Sequence, residues 1–366
     1  MACTKTADRN AVIQPIHDHK MPTIPPIKGD TNVLSLRTGQ DCATNIGKEI
    51  GRFCVMTMEI PWKVTSAKIA GTPEAVIFIE TMEEEWLDKM CAQLPACDTV
   101  VGVGGGMAID AAKYVSWKKG IRLVSIPTIL SVDAFTTPAA GIRRNHEVLY
   151  VGHASPDPLV IDFGIIRTAP PELNIAGIGD LLSMHTASFD WAYANSKGKS
   201  EFIFSAEAIE KAGAILNMLY GLLGDIRDNT DKGLMAIVEG YIELNTICLP
   251  AGHFRVEEGS EHYLFYELEE RLKRPFVHGY IVGMGIYLMS QLQGNRFSFI
   301  RDVMDEVALP YHPSILDISR KDLIDSMLNL KKYVDSRPKL WYTVINDSNI
   351  TLEWAEEAVK GLQFQH

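Results

Sequence analysis

Between Arg52 and about Ile161 the chain alternates short, almost unbroken apolar runs with amphipathic stretches. The runs Phe53–Met58, Ala75–Ile79, Thr99–Val103 and Arg122–Ile126 lack the polar alternation of a half-exposed sheet. They predict parallel strands covered on both faces. Thr81-Met-Glu-Glu84 reads as a capping box opening a helix to about Gln93, and Met107–Lys118 has helical spacing too. Strand, helix, strand at this spacing predicts βαβ units in a Rossmann-like parallel sheet.

After about Asn174 helical periodicity takes over, at 180–194, 202–223, 232–246, 261–273, 278–293, 321–334 and 352–362. The predicted fold class is therefore α/β plus α. A tail or extended lead-in with Pro22, Pro25 and Pro26 covers 1–30, an α/β dinucleotide-binding domain 31–174, and an all-helical domain 175–366. The 366 residues carry 35 Lys+Arg against 46 Asp+Glu, a net charge of −11. That size admits two domains, and the 46% apolar content excludes wholesale disorder. The acidic balance argues against a nucleic-acid or anionic-membrane partner and leaves a small-molecule substrate. Six scattered cysteines without a CxxC pair fit the reduced thiols of a cytoplasmic protein. No run in 1–30 resembles a secretory signal, and the apolar stretch Val277–Met289 is too short to span a bilayer.

Three motifs carry candidate chemistry. In Val101-Gly-Val-Gly-Gly-Gly-Met-Ala-Ile-Asp-Ala-Ala-Lys113 a strand runs through Gly104, Gly105 and Gly106 straight into a helix. Glycines let a backbone approach phosphate, and a helix N-terminus offers free N–H groups. A tight turn, with Asp110 and Lys113 as a surface ion pair, accounts for the same letters. Ile126-Pro-Thr-Ile-Leu-Ser-Val-Asp-Ala-Phe-Thr-Thr-Pro138 follows a predicted strand and gathers Thr128, Ser131, Asp133, Thr136 and Thr137 where α/β proteins bind ligands, although turns favour such residues anyway. Gly177-Ile-Gly-Asp180, Gly259-Ser-Glu-His262 and Arg274-Pro-Phe-Val-His278-Gly279 each read as a helix opening. One Asp and two His supply three ligands to a divalent metal, as catalytic zinc or ferrous sites require. Singly, Asp180 also reads as a helix N-cap, and His262 and His278 as core histidines.

Taken in order, these motifs resemble the iron-containing (group III) alcohol dehydrogenase superfamily from about residue 38 to 290. The resemblance is closest to the glycerol-1-phosphate dehydrogenase branch, through PTILSVDAF, PDPLVIDFGIIRTAPPELNIAGIGDLLS (156–183) and GSEH with a second histidine sixteen residues on. It implies a nucleotide domain, a helical domain and an active site in the cleft between them. Gly104, Gly105, Gly106, Met107 and Asp110 would border the pyrophosphate of NAD or NADP, with Thr128, Ser131 and Thr137 further along the cofactor. Asp133 would face the substrate, and Asp180, His262 and His278 would hold the metal. The branch also implies a homo-oligomer. Lys113 and Asp180 match the dehydrogenases rather than 3-dehydroquinate synthase, the metal-dependent cyclase that shares cofactor and ligand set. Two departures stand out. Tyr266 occupies the position of a substrate-contacting histidine, and Glu257 and Glu258 lie just before the GSEH motif. They leave the substrate open and keep a catalytically silent homologue in view.

The implied reaction is reversible hydride transfer between NAD(P) and a small polyol, or polyol phosphate, and its ketone. Asp133 and Tyr266 would position substrate hydroxyls, and His253 is a candidate proton relay or a structural residue. Zinc is favoured over iron or nickel, because its d¹⁰ shell imposes least geometry and the chemistry needs no metal redox. Glu59, after the first strand run, suits a ribose hydroxyl and hence NAD, and equally suits a plain surface position.

Overall fold

The apolar runs become strands of a parallel sheet in a computed structural model that describes residues 31–145 and 147–365. The strands are β1 (Leu36–Gly39), β2 (Phe53–Thr57), β3 (Ala75–Phe78), β4 (Thr99–Gly104), β5 (Arg122–Pro127), β6 (Ala140–Arg144), β7 (Glu147–Val151) and β8 (Pro156–Asp162). Six of them form the sheet in the order β1-β8-β5-β4-β2-β3, while β6 and β7 pair as an antiparallel hairpin. Val55, Val101, Val103, Val124 and Ile126 pack on one face with Ile46, Ile50 and Ile69. Met56, Val100 and Leu123 pack on the other with Leu87, Ala108 and Ala112. Both faces are dry, which is why the strands read as continuous apolar runs. The predicted lead-in at 1–30 lies outside the described residues.

The sheet is covered by α1 (Ile46–Glu49), α2 (Glu59–Ile69), α3 (Glu84–Gln93) and α4 (Gly106–Lys119). From β2 the chain moves outward to β3, then returns to β4 on the other side of β2. The crevice at the carboxyl ends of β2 and β4 is therefore a topological switch point, where open α/β sheets bind ligands. The predicted capping box is not formed. Glu83 occupies the N-cap of α3 without a side-chain cap, and Thr81 Oγ1 instead accepts the Glu83 N–H at 3.2 Å.

The helical part comprises α5 (Phe163–Ile166), α6 (Pro171–Leu181), α7 (Met184–Ser196), α8 (Ala206–Tyr220), α9 (Leu223–Arg227), α10 (Asp231–Ala251), α11 (Ser260–Leu272) and α12 (His278–Gln293). It continues through α13 (Phe297–Glu306), α14 (Pro313–Leu316), α15 (Arg320–Asp335), α16 (Val344–Asp347) and α17 (Leu352–Ala358). Its core is continuous with the sheet through Leu130, Phe135, Leu159 and Ile161. Helix α6 starts at Pro171, four residues inside the expected 31–174 span. α10 is long and apolar enough to cross a membrane by length and composition, yet 56% of its most apolar window is buried inside the protein.

The predicted helix at 180–194 is two helices, and Asp180 sits in the last turn of α6 instead of opening a helix. The reading of Asp180 as an N-cap fails for the same reason. The chain tightens at the junction, where Ser183 N–H reaches the Asp180 carbonyl at 2.9 Å. α6 is drawn in by close backbone contacts. A Cβ on Gly177 would lie 1.9 Å from the Leu130 carbonyl oxygen, one on Gly179 2.2 Å from that of Gly279, and one on Gly279 1.7 Å from that of Ala176.

Gly279→Ala is therefore expected to force α6 and α12 apart and to cost ~1–3 kcal/mol or more in urea unfolding. Gly213→Ala in α8, where an added Cβ meets nothing within 4 Å, is expected to be neutral or to stabilise by about 0.5–1 kcal/mol.

Candidate metal and nucleotide site

The helix contact just described sets Asp180 against the first residue of α12. His278 Nε2 lies 3.0 Å from Asp180 Oδ1, and His262 Nε2, from the first turn of α11, lies 3.7 Å from the same oxygen. The potential ligand atoms of Asp180, His262 and His278 all fall within 4.8 Å of one another. The Tyr241 hydroxyl is 3.1 Å from Asp180 Oδ2 and 2.9 Å from the Gly177 carbonyl, so its proton is shared between them. Glu261 Oε1 is 3.0 Å from His262 Nδ1 and accepts the Gly259 N–H at 2.6 Å. A carboxylate on Nδ1 holds that nitrogen as a donor, so Nε2, on the Asp180 side, is the nitrogen a cation would take.

The donor set fits a divalent cation. Asp180 Oδ1 is buried and receives no hydrogen bond among the described residues, a cost that a bound cation removes. Burial opposes ionisation of Asp180, but His278 and His262 hold its carboxyl well below the usual range. Burial likewise disfavours charge on His262, and Asp180 and Glu261 outweigh it. Two imidazoles and one carboxylate leave coordination positions open, as a catalytic site requires.

The glycine motif lies at the switch point. Gly104 has φ +149°, and its carbonyl accepts the Thr128 N–H at 3.0 Å. Added Cβ atoms on Gly105 and Gly106 would fall 2.8 Å from Ile129 Cδ1 and Val132 Cγ1, so the loop after β5 packs directly onto the glycines. α4 begins with neither a side-chain cap nor an acidic residue in its first turn. Its N-terminal N–H groups and dipole are thus available to a pyrophosphate, and Met107 beside them is exposed. Thr128 and Ser131 are buried in the same loop.

Asp110 lies further into α4. Its carboxylate meets Lys113 Nζ at 2.8 Å and crowds Gly141 of β6. Lys113 is 1% exposed and also reaches the carbonyls of Thr137 and Ala139 at 3.2 and 2.5 Å. Asp110, Lys113 and Thr137 therefore form one buried polar knot that pins the loop to α4, in contrast to the surface pair the letters allow.

A sequence profile of the family described as iron-containing alcohol dehydrogenase matches residues 47–170. A glycerol-1-phosphate dehydrogenase [NAD(P)+] of Sulfurisphaera tokodaii is 30% identical over 337 residues, covering 88% of this chain and 94% of its own. One from Methanosphaera stadtmanae is 29% identical over 280 residues, 76% of this chain and 79% of its own. Among solved structures, glycerol dehydrogenase from Schizosaccharomyces pombe superposes with a TM-score of 0.68 at 21% identity, covering 90% of this chain and 88% of that one. The iron-containing alcohol dehydrogenase of Corynebacterium glutamicum superposes with a TM-score of 0.65 at 13% identity, covering 93% and 97%. The chain belongs to the iron-containing alcohol dehydrogenase family. As a member of that family it is an NAD(P)-dependent oxidoreductase, and the family uses a divalent metal.

Asp133 stands on a short 3₁₀ turn (Asp133–Phe135), directly after Val132, which packs on Gly106. Burial, then the charge of Asp180, push its carboxyl up to about 7 against the opposing pull of Lys113 and His278. Tyr266 donates to Glu258 Oε1 at 3.0 Å, with its ring centroid 6.3 Å from that of His262. His253 is held in an aromatic box, stacked on Phe202 at 4.0 Å and edge-on to Trp191 at 5.2 Å. Its Nδ1 accepts the Arg255 N–H at 3.3 Å, a packing role. Glu59 is exposed at the start of α2, beside the crevice. The sequence reading assigned no role to Tyr241 or Glu261. Tyr241 looks like any core aromatic of α10, whereas Glu261, directly before His262, carries a usable signal.

Zinc is expected to raise the melting temperature of the wild type, since binding to the native state alone stabilises by mass action, and Asp180→Asn or His278→Ala is expected to abolish that rise. Burial and the Arg255 charge depress the His253 pKa from 6.5 to about 4. The unfolded chain thus takes up this proton first as pH falls, and the stability tied to neutral His253 is lost between those two values. His253→Phe keeps the stacking and removes the titration. In urea unfolding the wild-type advantage over this variant is expected to be largest at neutral pH and to shrink toward the acid end.

Proposed function

We propose that this chain interconverts a small polyol or polyol phosphate and its ketone by NAD(P)-linked hydride transfer, a reaction of the glycerol-1-phosphate dehydrogenase type. The observation that carries the reading is the convergence of Asp180, His262 and His278 beside the turn that packs on the glycine loop. Relatives alike over most of their length are glycerol-1-phosphate dehydrogenases, which supports the substrate class. Zinc is the proposed metal, since two imidazoles and a carboxylate suit it and the reaction needs no change in metal oxidation state. Bound there, the cation supplies Lewis acidity toward the substrate oxygen, and the nicotinamide supplies the hydride chemistry.

The remaining work falls to the chain's own residues. Glu261 fixes the tautomer and direction of His262, and Tyr241 fixes Asp180. We assign the pyrophosphate to the N-terminus of α4 and to Gly104–Gly106, with Met107, Thr128 and Ser131 along its path, and Asp110, Lys113 and Thr137 bracing the loop. Asp133 and Tyr266 are assigned to hold substrate hydroxyls. Phe135 packs edge-on against the Tyr241 ring, and Leu130 and Ile178 belong to the same buried core.

The test is absorbance of the reduced nicotinamide during turnover of small polyols, their phosphates and the matching ketones, with both cofactors. Zinc-loaded wild type is expected to turn over at least one such pair, and His278→Ala to be inactive. Glu261→Gln is expected to lower metal affinity by roughly 10–100-fold, the usual effect of removing a carboxylate behind a metal-bound histidine. Full activity in His278→Ala, or no turnover with any pair, refutes the reading.

A further inference from the structure

The hairpin of β6 and β7 has two unlike faces. Ala140, Ile142, Leu149 and Val151 turn one of them into the core to which Ala111 and Val115 of α4 belong. Side chains alternate along a strand, so Gly141, Arg143 and Tyr150 share the other face. Gly141 and Tyr150 are cross-strand partners, and Tyr150 Cε1 would lie 3.5 Å from a Cβ added to Gly141. The same added Cβ would lie 3.0 Å from Asp110 Oδ2. The Tyr150 ring thus rests one edge on bare backbone beside the opening turns of α4, and the residue is still 51% exposed.

Arg143 shows where this face looks. Its guanidinium meets Glu269 Oε1 of α11 at 2.9 Å, so the face is turned toward the helix that carries His262. His262, Tyr266 and Glu269 follow one another at helical spacing along one side of α11, and the His262 and Tyr266 rings lie 6.3 Å apart. Tyr150 therefore has the N-terminal turns of α4 on one side and the ligand-bearing side of α11 on the other. The Arg143–Glu269 pair ties the hairpin across that gap.

The dinucleotide has to run the same course. Its pyrophosphate is assigned to the N-terminus of α4, and its reacting carbon must come to about 3–3.5 Å from a substrate carbon whose oxygen is held at the metal cluster. The nicotinamide ring consequently crosses between the two, past the half-open tyrosine. Flat rings brought together in this way gain from packing beyond the area they bury.

We propose that Tyr150 is a cofactor-binding residue whose ring packs on the nicotinamide end of the dinucleotide. This rests on the dehydrogenase reading and goes beyond it, since residue 150 lies outside both the glycine motif and the loop after β5.

Binding of NADH and NADPH to the zinc-loaded protein is followed by the fluorescence of the reduced nicotinamide. Binding of ADP-ribose and of its 2′-phosphate, which lack that ring, is followed by calorimetry. Tyr150→Ala is expected to raise the Kd of the reduced cofactor by roughly three- to tenfold and to leave that of the matching fragment within about twofold. Tyr150→Phe keeps the ring and is expected to bind both as the wild type does. An unchanged cofactor Kd in Tyr150→Ala, or an equal loss for cofactor and fragment, overturns the proposal and leaves the dehydrogenase reading standing. If the wild type binds neither reduced cofactor, that reading falls and the assignment of Tyr150 falls with it.

Discussion

Two helix backbones touch where Gly179 and Gly279 remove the side chains that would keep them apart, and the approach of Asp180 to His278 depends on that contact. With Cβ positions on Gly179 and Gly279 only 2.2 and 1.7 Å from facing carbonyl oxygens, α6 and α12 leave no room for even one alanine. Asp180 follows Gly179 directly and His278 precedes Gly279, so the pair is carried on the contact itself. Gly285 does the same for α11, since its Cβ would lie 2.6 Å from the Glu261 carbonyl, next to His262. Positional tolerance at a metal site is a fraction of an ångström. Rigid helices in backbone contact supply it, where a loop would not.

A second constraint links this cluster to the nucleotide crevice. The segment after β5 contributes Thr128 to the Gly104 carbonyl, Ile129 and Val132 over Gly105 and Gly106, and Asp133 toward Asp180. One turn therefore closes on the glycine loop and looks into the metal cluster. Lys113 beneath it is buried with its ammonium fully engaged, which fixes the turn against α4. Hydride transfer needs the two reactants held in register, and this turn packs directly on the glycines assigned to the cofactor.

Strands β2, β4 and β5 were legible because continuous apolar runs leave few alternatives, and the long helices α11, α12 and α15 because their periodicity spans several turns. β1, α2, the β6–β7 hairpin and the buried strand β8 were not. Only Thr65 and Ile69 of α2 are buried, so its apolar stripe is nearly absent, and β1 is a four-residue edge strand with half-exposed positions. Asp180, His262 and His278, which converge in the structure, stand out in the sequence as residue types, yet Asp180 lies in the last turn of its helix instead of opening one. The break between α6 and α7 leaves no local mark, and the contacts of Gly177 with Leu130 and of Gly179 with Gly279 that hold α6 are long-range in sequence. Tyr241 was silent for the same reason.

The N-terminus of α11 shows what this arrangement costs and why it persists. Asp190 is fully buried, with burial and then the charge of Glu261 pushing its carboxyl up to about 6. Placing two carboxyls together in a dry interior is unfavourable unless their lone pairs are satisfied. Here Asp190 and Glu261 Oε1 find donors near one helix end, while Glu261 Oε2 is buried with no hydrogen-bond partner among the described residues. Asp190 accepts the Ser260 N–H at 2.8 Å and the Val344 N–H at 3.0 Å, and Glu261 accepts the Gly259 N–H. The positive end of the α11 dipole favours both charges, and Glu261 passes the constraint on to the His262 ring. A polar network that weakens the core in isolation thus fixes the direction of one imidazole, and local rules are expected to give way at functional sites in this manner.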